Sequence, residues 1–182
     1  MTKVAVVFAE GFEEIEALSP VDVFRREGFD CSMLGLENVS VTGSHGIQVA
    51  MDGVFDGNFD AYDLVVLPGG MPGSTNLRDH EGLITALQAR NKAGKYIAAI
   101  CAAPIVLNRA GLLEGRKFTC FPGVEEQIAS GEHQTDLVVV DGNIITSRGA
   151  GTALAFAYVL VDLLGGDGQQ LAHTMVYDRL FK

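Results

Sequence analysis

The sequence predicts a single α/β domain, spanning residues 1–182, built on a mostly parallel sheet covered by helices on both faces. Three observations carry this. Short β-rich runs alternate with longer helix-like stretches along the whole chain. The runs Val4–Ala9 and Leu64–Leu67 are continuously apolar, as strands buried on both faces must be. The chain has 182 residues, 48% of them hydrophobic, which suits one core, and no repeat, low-complexity run or linker divides it.

The elements follow in order. Val4–Ala9 is the first strand. The acidic turn Glu10-Gly-Phe-Glu-Glu-Ile-Glu16 leads into a helix carrying Val21 and Phe24, which closes on Arg25 and Arg26 ahead of Gly28. Pro20 is expected to kink or restart that helix, because it has no N–H to donate. Cys31–Leu36 is the second strand. Between Asn38 and Phe55, polar and apolar stretches alternate around Gly43, Gly46 and Gly53, which predicts a small antiparallel hairpin. Leu64–Leu67 is a buried strand stopped by Pro68, Gly69 and Gly70. A helix over His80–Ala93, a strand over Tyr96–Ile100 and a helix over Ala102–Ala110 follow. Then come a short strand near Phe118, a helix over Val124–Ser130, and strands over Leu137–Val140 and Ile144–Thr146. The apolar helix Thr152–Leu164 and a short helical tail close the chain.

Charge and residue usage narrow the function. With 13 basic against 23 acidic residues the formal net charge is −10. Such a surface repels phosphate backbones and anionic headgroups, so neither nucleic acid nor membrane is expected as a partner. The apolar stretches are too short to span a bilayer, and the chain enters a strand at once without a signal pattern, so a cytoplasmic location is expected. Three widely spaced cysteines contain no CxxC pair, and the four histidines show no HExxH spacing. Neither a disulfide framework nor a metal site is expected, and His80, His133 and His173 read as surface or turn residues.

In an open parallel sheet, ligands bind beyond the carboxyl ends of the strands. Four strand ends here carry unusual sequence: the acidic turn after Ala9, Pro68-Gly-Gly-Met-Pro-Gly73, Cys101, and Ser147-Arg-Gly-Ala-Gly151. If those strands are neighbours, all four turns face one crevice. Cys101 lies between a strand and a helix in Ala98-Ala-Ile-Cys-Ala-Ala-Pro104. A helix amino terminus there would lower its pKa and favour the thiolate, although a buried structural cysteine is the plainer alternative. Glu10, Glu13 and Glu14 would repel a dinucleotide phosphate, so no nucleotide cofactor is expected; most of these carboxylates read as solvated or helix-starting. Glu16 could point into the crevice and share a proton with the sulfur. Gly69 and Gly70 can approach a ligand closely and present N–H groups to an oxyanion.

Together, Ala9-Glu-Gly-Phe-Glu-Glu-Ile-Glu16, Val65-Val-Leu-Pro-Gly-Gly70, Ala98–Pro104 and Thr146-Ser-Arg-Gly-Ala-Gly-Thr152 resemble the ThiJ/PfpI superfamily, in its DJ-one branch. The resemblance runs in order from Lys3 to Leu164. It implies a flavodoxin-like three-layer α/β/α sandwich, a homodimer, Cys101 as the reactive cysteine on a nucleophile elbow, and Glu16 as its carboxylate partner. Gly70 and Ala102 would supply N–H groups. His45, in Gly43-Ser-His-Gly46, falls where relatives carry an arginine near the dimer interface. The peptidase branch has histidine after the nucleophile, where Ala102 stands here, and many relatives have histidine at the place of Phe121. Peptide hydrolysis is therefore disfavoured. The expected function is a cofactor-independent, metal-free enzyme of the glyoxalase or deglycase type acting on a small reactive carbonyl compound. The alternative is a redox-sensing or chaperone-like protein in which Cys101 is oxidised to sulfinate.

Overall fold

In the computed structural model, which describes residues 1–180, the chain alternates strands and helices much as its apolar pattern requires. The strands are β1 (Lys3–Phe8), β2 (Asp30–Gly35), β3 (Ser40–Thr42), β4 (Gln48–Ala50), β5 (Gly53–Val54), β6 (Leu64–Leu67), β7 (Tyr96–Ile100), β8 (Lys117–Phe118), β9 (Glu132–His133), β10 (Val138–Asp141) and β11 (Ile144–Ser147). The helices are α1 (Glu14–Arg26), α2 (Gly73–Asp79), α3 (Glu81–Lys92), α4 (Pro104–Arg109), α5 (Ala153–Leu163) and α6 (Gly168–Thr174).

Seven strands form one sheet in the order β10-β11-β7-β6-β1-β2-β5. Every neighbouring pair is parallel except β10 with β11, which joins the edge as an antiparallel hairpin. The side-chain period of two splits β1 between the faces. Val4, Val6 and Phe8 join Val21 and Phe24 of α1 and Phe156 and Leu160 of α5 on one side. Ala5 and Val7 join Leu83 and Leu87 of α3 and Val106 and Leu107 of α4 on the other. These side chains are essentially fully buried, and burying each Val, Leu or Phe contributes about 1.5–3 kcal/mol. Among the described residues no helix is long and apolar enough to cross a membrane.

Several local expectations change. Pro20 lies inside a continuous α1 and is buried, and burial of its face of the helix offsets the missing hydrogen bond. A helix forms at Gly73–Asp79, which its Gly, Ser, Thr and Asn do not advertise. The buried Leu77 pins it, and the Ser74 N–H donates to the Gly70 carbonyl at 2.9 Å. The helix expected over Val124–Ser130 is only a 3-10 turn over Val124–Gln127, because the chain turns back to lay β9 beside β8. The hairpin between Asn38 and Phe55 is present as β3 and β4, after which β5 returns to the main sheet in parallel with β2.

Candidate active site at the strand ends

β1, β6, β7 and β11 are consecutive in the sheet and parallel, so the four turns meet at one end. Backbone bonds stitch the first two turns together. The Glu13 N–H donates to the Gly69 carbonyl at 2.9 Å, and the Gly73 N–H to that of Gly11 at 3.2 Å. The β11 turn is tied by Thr152, whose Oγ1 accepts the N–H groups of Arg148 and Gly149 and bonds Ser147 Oγ at 2.7 Å.

Cys101 follows β7 with φ at 66°, one of two left-handed non-glycine residues among those described. That conformation costs about 1–3 kcal/mol and persists only where the surroundings enforce it. Here they do. The Cys101 N–H donates to the Ser147 carbonyl at 3.0 Å, and the Cys101 carbonyl accepts the Phe121 N–H at 2.9 Å. The turn lifts the half-buried thiol out of the sheet toward the N–H groups of Gly70 and Ala102 and the Glu16 carboxyl. Gly70 itself has φ at 88°, the left-handed backbone that aims its N–H at the sulfur.

Glu16 sits in the first turn of α1, where Glu13 caps the helix by accepting the Glu16 N–H at 2.8 Å. Its residue is 1% exposed, and Oε2 accepts the Gly69 N–H at 3.0 Å. Gly69 has to lack a side chain, since a β-carbon there would collide with Glu16 Oε2 and Cys101 Cβ. Burial pushes the Glu16 carboxyl from 4.5 up to about 7, against the hydrogen bonds from Cys101 and Gly69. Burial, and then Glu16 whenever it is ionised, also pushes the Cys101 thiol up, while the Gly70 and Ala102 N–H groups draw it down. The doubly charged pair is thus excluded. The state able to react is a thiolate beside a neutral Glu16 that carries the pair's proton.

This arrangement corrects parts of the sequence reading. The thiol does not sit directly at a helix amino terminus: α4 starts three residues later, at Pro104, and is only six residues long. Local N–H groups therefore replace the expected helix field. Of the three backbone donors anticipated, the Gly69 N–H is spent on Glu16, which leaves Gly70 and Ala102 facing the sulfur. In the acidic turn Glu10 is exposed and Glu13 starts α1, as read, but Glu14 is not solvated. Glu14 is 5% exposed and accepts the His45 N–H at 2.7 Å and His45 Nδ1 at 2.8 Å. His45 stands at the tip of the β3–β4 hairpin with its ring 69% exposed. His80 caps α3 by accepting the Leu83 N–H, and His133 is not a simple surface residue, since its Nε2 is buried. Sequence reasoning placed Glu13 among the helix-starting carboxylates, which its capping of α1 fits, but it missed Thr152 and Ser147 as supports.

Phe121 stands half-exposed at this end, with its ring in reach of a β-carbon placed at Gly149. A separate cleft of about 290 Å³ beside the ends of β1 and β2 is lined by Phe8, Leu36, Val41 and His80 and includes neither Cys101 nor Glu16.

Known proteins carry the same arrangement of chain. The model of the DJ-1/PfpI family matches residues 2–163. Protein DJ-1 homolog B of Arabidopsis thaliana is 39% identical over 90% of this chain, which spans only 38% of that relative's length. Protein dj-1beta of Drosophila melanogaster is 38% identical over 88% of both chains. Its crystal structure superposes with a TM-score of 0.92, at 35% identity, covering 96% of this chain and 97% of that one. A protein of Pyrococcus horikoshii named a deglycase is 35% identical over 89% of this chain and 99% of its own. With a match over nearly the whole length and a superposition this close, the chain belongs to the DJ-1/PfpI family.

Proposed function

We propose that the protein is a cysteine-dependent, cofactor-independent enzyme that acts on small reactive dicarbonyl compounds such as methylglyoxal, in protection against carbonyl stress. The observation that carries this reading is the pairing of a partly accessible sulfur with a buried carboxyl whose pKa lies at about 7. A carboxyl there can both give and take a proton at neutral pH, which is what a proton shuttle needs. The deglycase name of the Pyrococcus horikoshii relative supports the same class of chemistry.

The Cys101 sulfur attacks the aldehyde carbon, and the oxygen takes a proton to give a hemithioacetal. Glu16, as carboxylate at that point, removes the proton from this carbon and returns one to the adjacent carbonyl carbon. The adduct is then a 2-hydroxy thioester, and water releases the 2-hydroxy acid and the free thiol. The net reaction adds one water and needs no external oxidant or reductant. Gly70 and Ala102, whose N–H groups face the sulfur, would steady charge on the bound oxygen. The exposed face of the β3–β4 hairpin, with His45 at its tip, suits contact with a second copy of the chain in a homodimer.

The test is lactate formation from methylglyoxal without glutathione. Wild type should produce it, and Cys101→Ala should reduce it to background. Lactate surviving Cys101→Ala would defeat the proposal. No lactate from reduced wild type would favour the other use of this geometry, in which the same N–H groups and Glu16 hold Cys101 as a sulfinate that alters partner binding.

A further inference from the structure

A second cluster lies where the chain leaves the crevice. A sulfur from Cys120, a carboxylate oxygen from Glu125 and a ring nitrogen from His133 all lie within 4.8 Å of one another. Cys120 is completely buried, with Sγ 3.8 Å from Glu125 Oε2. His133 supplies an independent observation, because its Nε2 is buried and has no hydrogen-bond partner among the described residues. A buried nitrogen left unpaired costs about 1–3 kcal/mol, so something normally satisfies it.

The three residues are held by different means. His133 pairs in register with Phe118, its ring lies 5.6 Å from that of Phe118, and the Gln134 N–H donates to the Phe118 carbonyl at 2.7 Å. Glu125 is fixed as Oε2 accepts the Gly123 N–H at 2.7 Å. Cys120 is flanked by anchored residues: the Thr119 N–H donates to Thr146 Oγ1 at 2.9 Å, and the Phe121 N–H to the Cys101 carbonyl at 2.9 Å. The other His–carboxylate cluster, Glu13, Glu14 and His45, differs in that its polar atoms already satisfy one another.

We propose that Cys120, Glu125 and His133 form a binding site for a thiophilic divalent cation such as Zn2+, one residue along the chain from the bond that holds Cys101. Thiolate, imidazole and carboxylate are the donors such a cation takes, and three protein ligands leave a fourth position open. Bonds of about 2.0–2.3 Å place tetrahedral ligands nearer together than the present spread, so binding draws the trio inward by about 1 Å. The ligands, at positions 120, 125 and 133, do not follow a familiar metal-binding spacing such as CxxC or HExxH.

Zn2+ binding to metal-free Cys101→Ala protein, which removes the reactive thiol as a competing ligand, tests this. About one Zn2+ per chain should be retained after dialysis, and Co2+ should give a thiolate-to-metal charge-transfer band. At a hundredfold excess over Kd the melting temperature should rise by roughly 5–11 °C. Cys120→Ser and His133→Gln should each weaken binding by about a hundredfold or more, and Glu125→Gln, on a partly exposed turn, by about tenfold. The last variant reads the site without disturbing the core, should either of the others fail to fold. No saturable Zn2+, a Co2+ complex without the thiolate band, or affinity unchanged in Glu125→Gln and Cys120→Ser would overturn the assignment.

Discussion

Cys31 and Cys101 stand on the same sheet, and burial pushes both thiols up, yet only one is placed to react. Cys31 is an ordinary strand residue. It pairs with Val4, is 6% exposed, and its thiol is pushed up to about 12 by burial, with the charge of Arg25 only partly offsetting this. Cys101 sits in a left-handed turn that breaks the strand, opens the sulfur to the crevice and points two N–H groups at it. It also has what Cys31 lacks, a carboxyl neighbour that can hold the pair's proton near neutral pH. The lesson is that backbone geometry and a proton-bearing partner, not burial, separate a reactive cysteine from a structural one.

Alkylation at neutral pH with mass mapping gives the broadest contrast between them. Cys101 should be labelled first, by at least about a hundredfold over Cys31 and Cys120, because those two thiols are buried while Cys101 opens to the crevice. Comparable labelling of all three in the folded protein would remove the basis of the comparison.

The Glu16 carboxyl offers a smaller, signed effect. Its pKa rises from 4.5 to about 7 on folding, so between those values the folded chain binds more protons than the unfolded one. Its contribution to stability is therefore present below pH 4.5 and is lost as pH climbs through 7, by on the order of 3 kcal/mol. Denaturation against pH, wild type minus Glu16→Gln, should show that decline, and a flat difference would mean the carboxyl titrates normally. The smallest expected effect is steric. Gly69→Ala should cost about 1–3 kcal/mol in stability and lower turnover, because its methyl must displace Glu16 or Cys101. A Gly69→Ala protein as stable and active as wild type would show that the two side chains are not held so closely.

Much of this region could be read from sequence, for identifiable reasons. Continuous apolar runs reveal β1, β6 and β7, and the residues that end them reveal the turns; the meeting of Glu16 with Cys101 could be read only on the condition that those strands are neighbours, which the order β7-β6-β1 meets. What stayed hidden depends on tertiary contacts. The burial of Glu14 comes from a hairpin thirty residues away, which supplies His45. The helix at Gly73–Asp79 rests on Leu77 packing and not on propensity. His133 looks like a loop residue until β9 pairs with β8 and carries its ring inward.

The claim that Cys101 and Glu16 act as one unit is tested most directly by Glu16→Gln exposed to methylglyoxal, with lactate and intact mass followed together. The variant should still form an adduct on Cys101, because the sulfur and its N–H donors are intact. Lactate should fall by about a hundredfold or more, because no group remains to move the proton. Lactate produced at the wild-type rate, or an adduct carried by Cys31 or Cys120 in place of Cys101, would contradict the account.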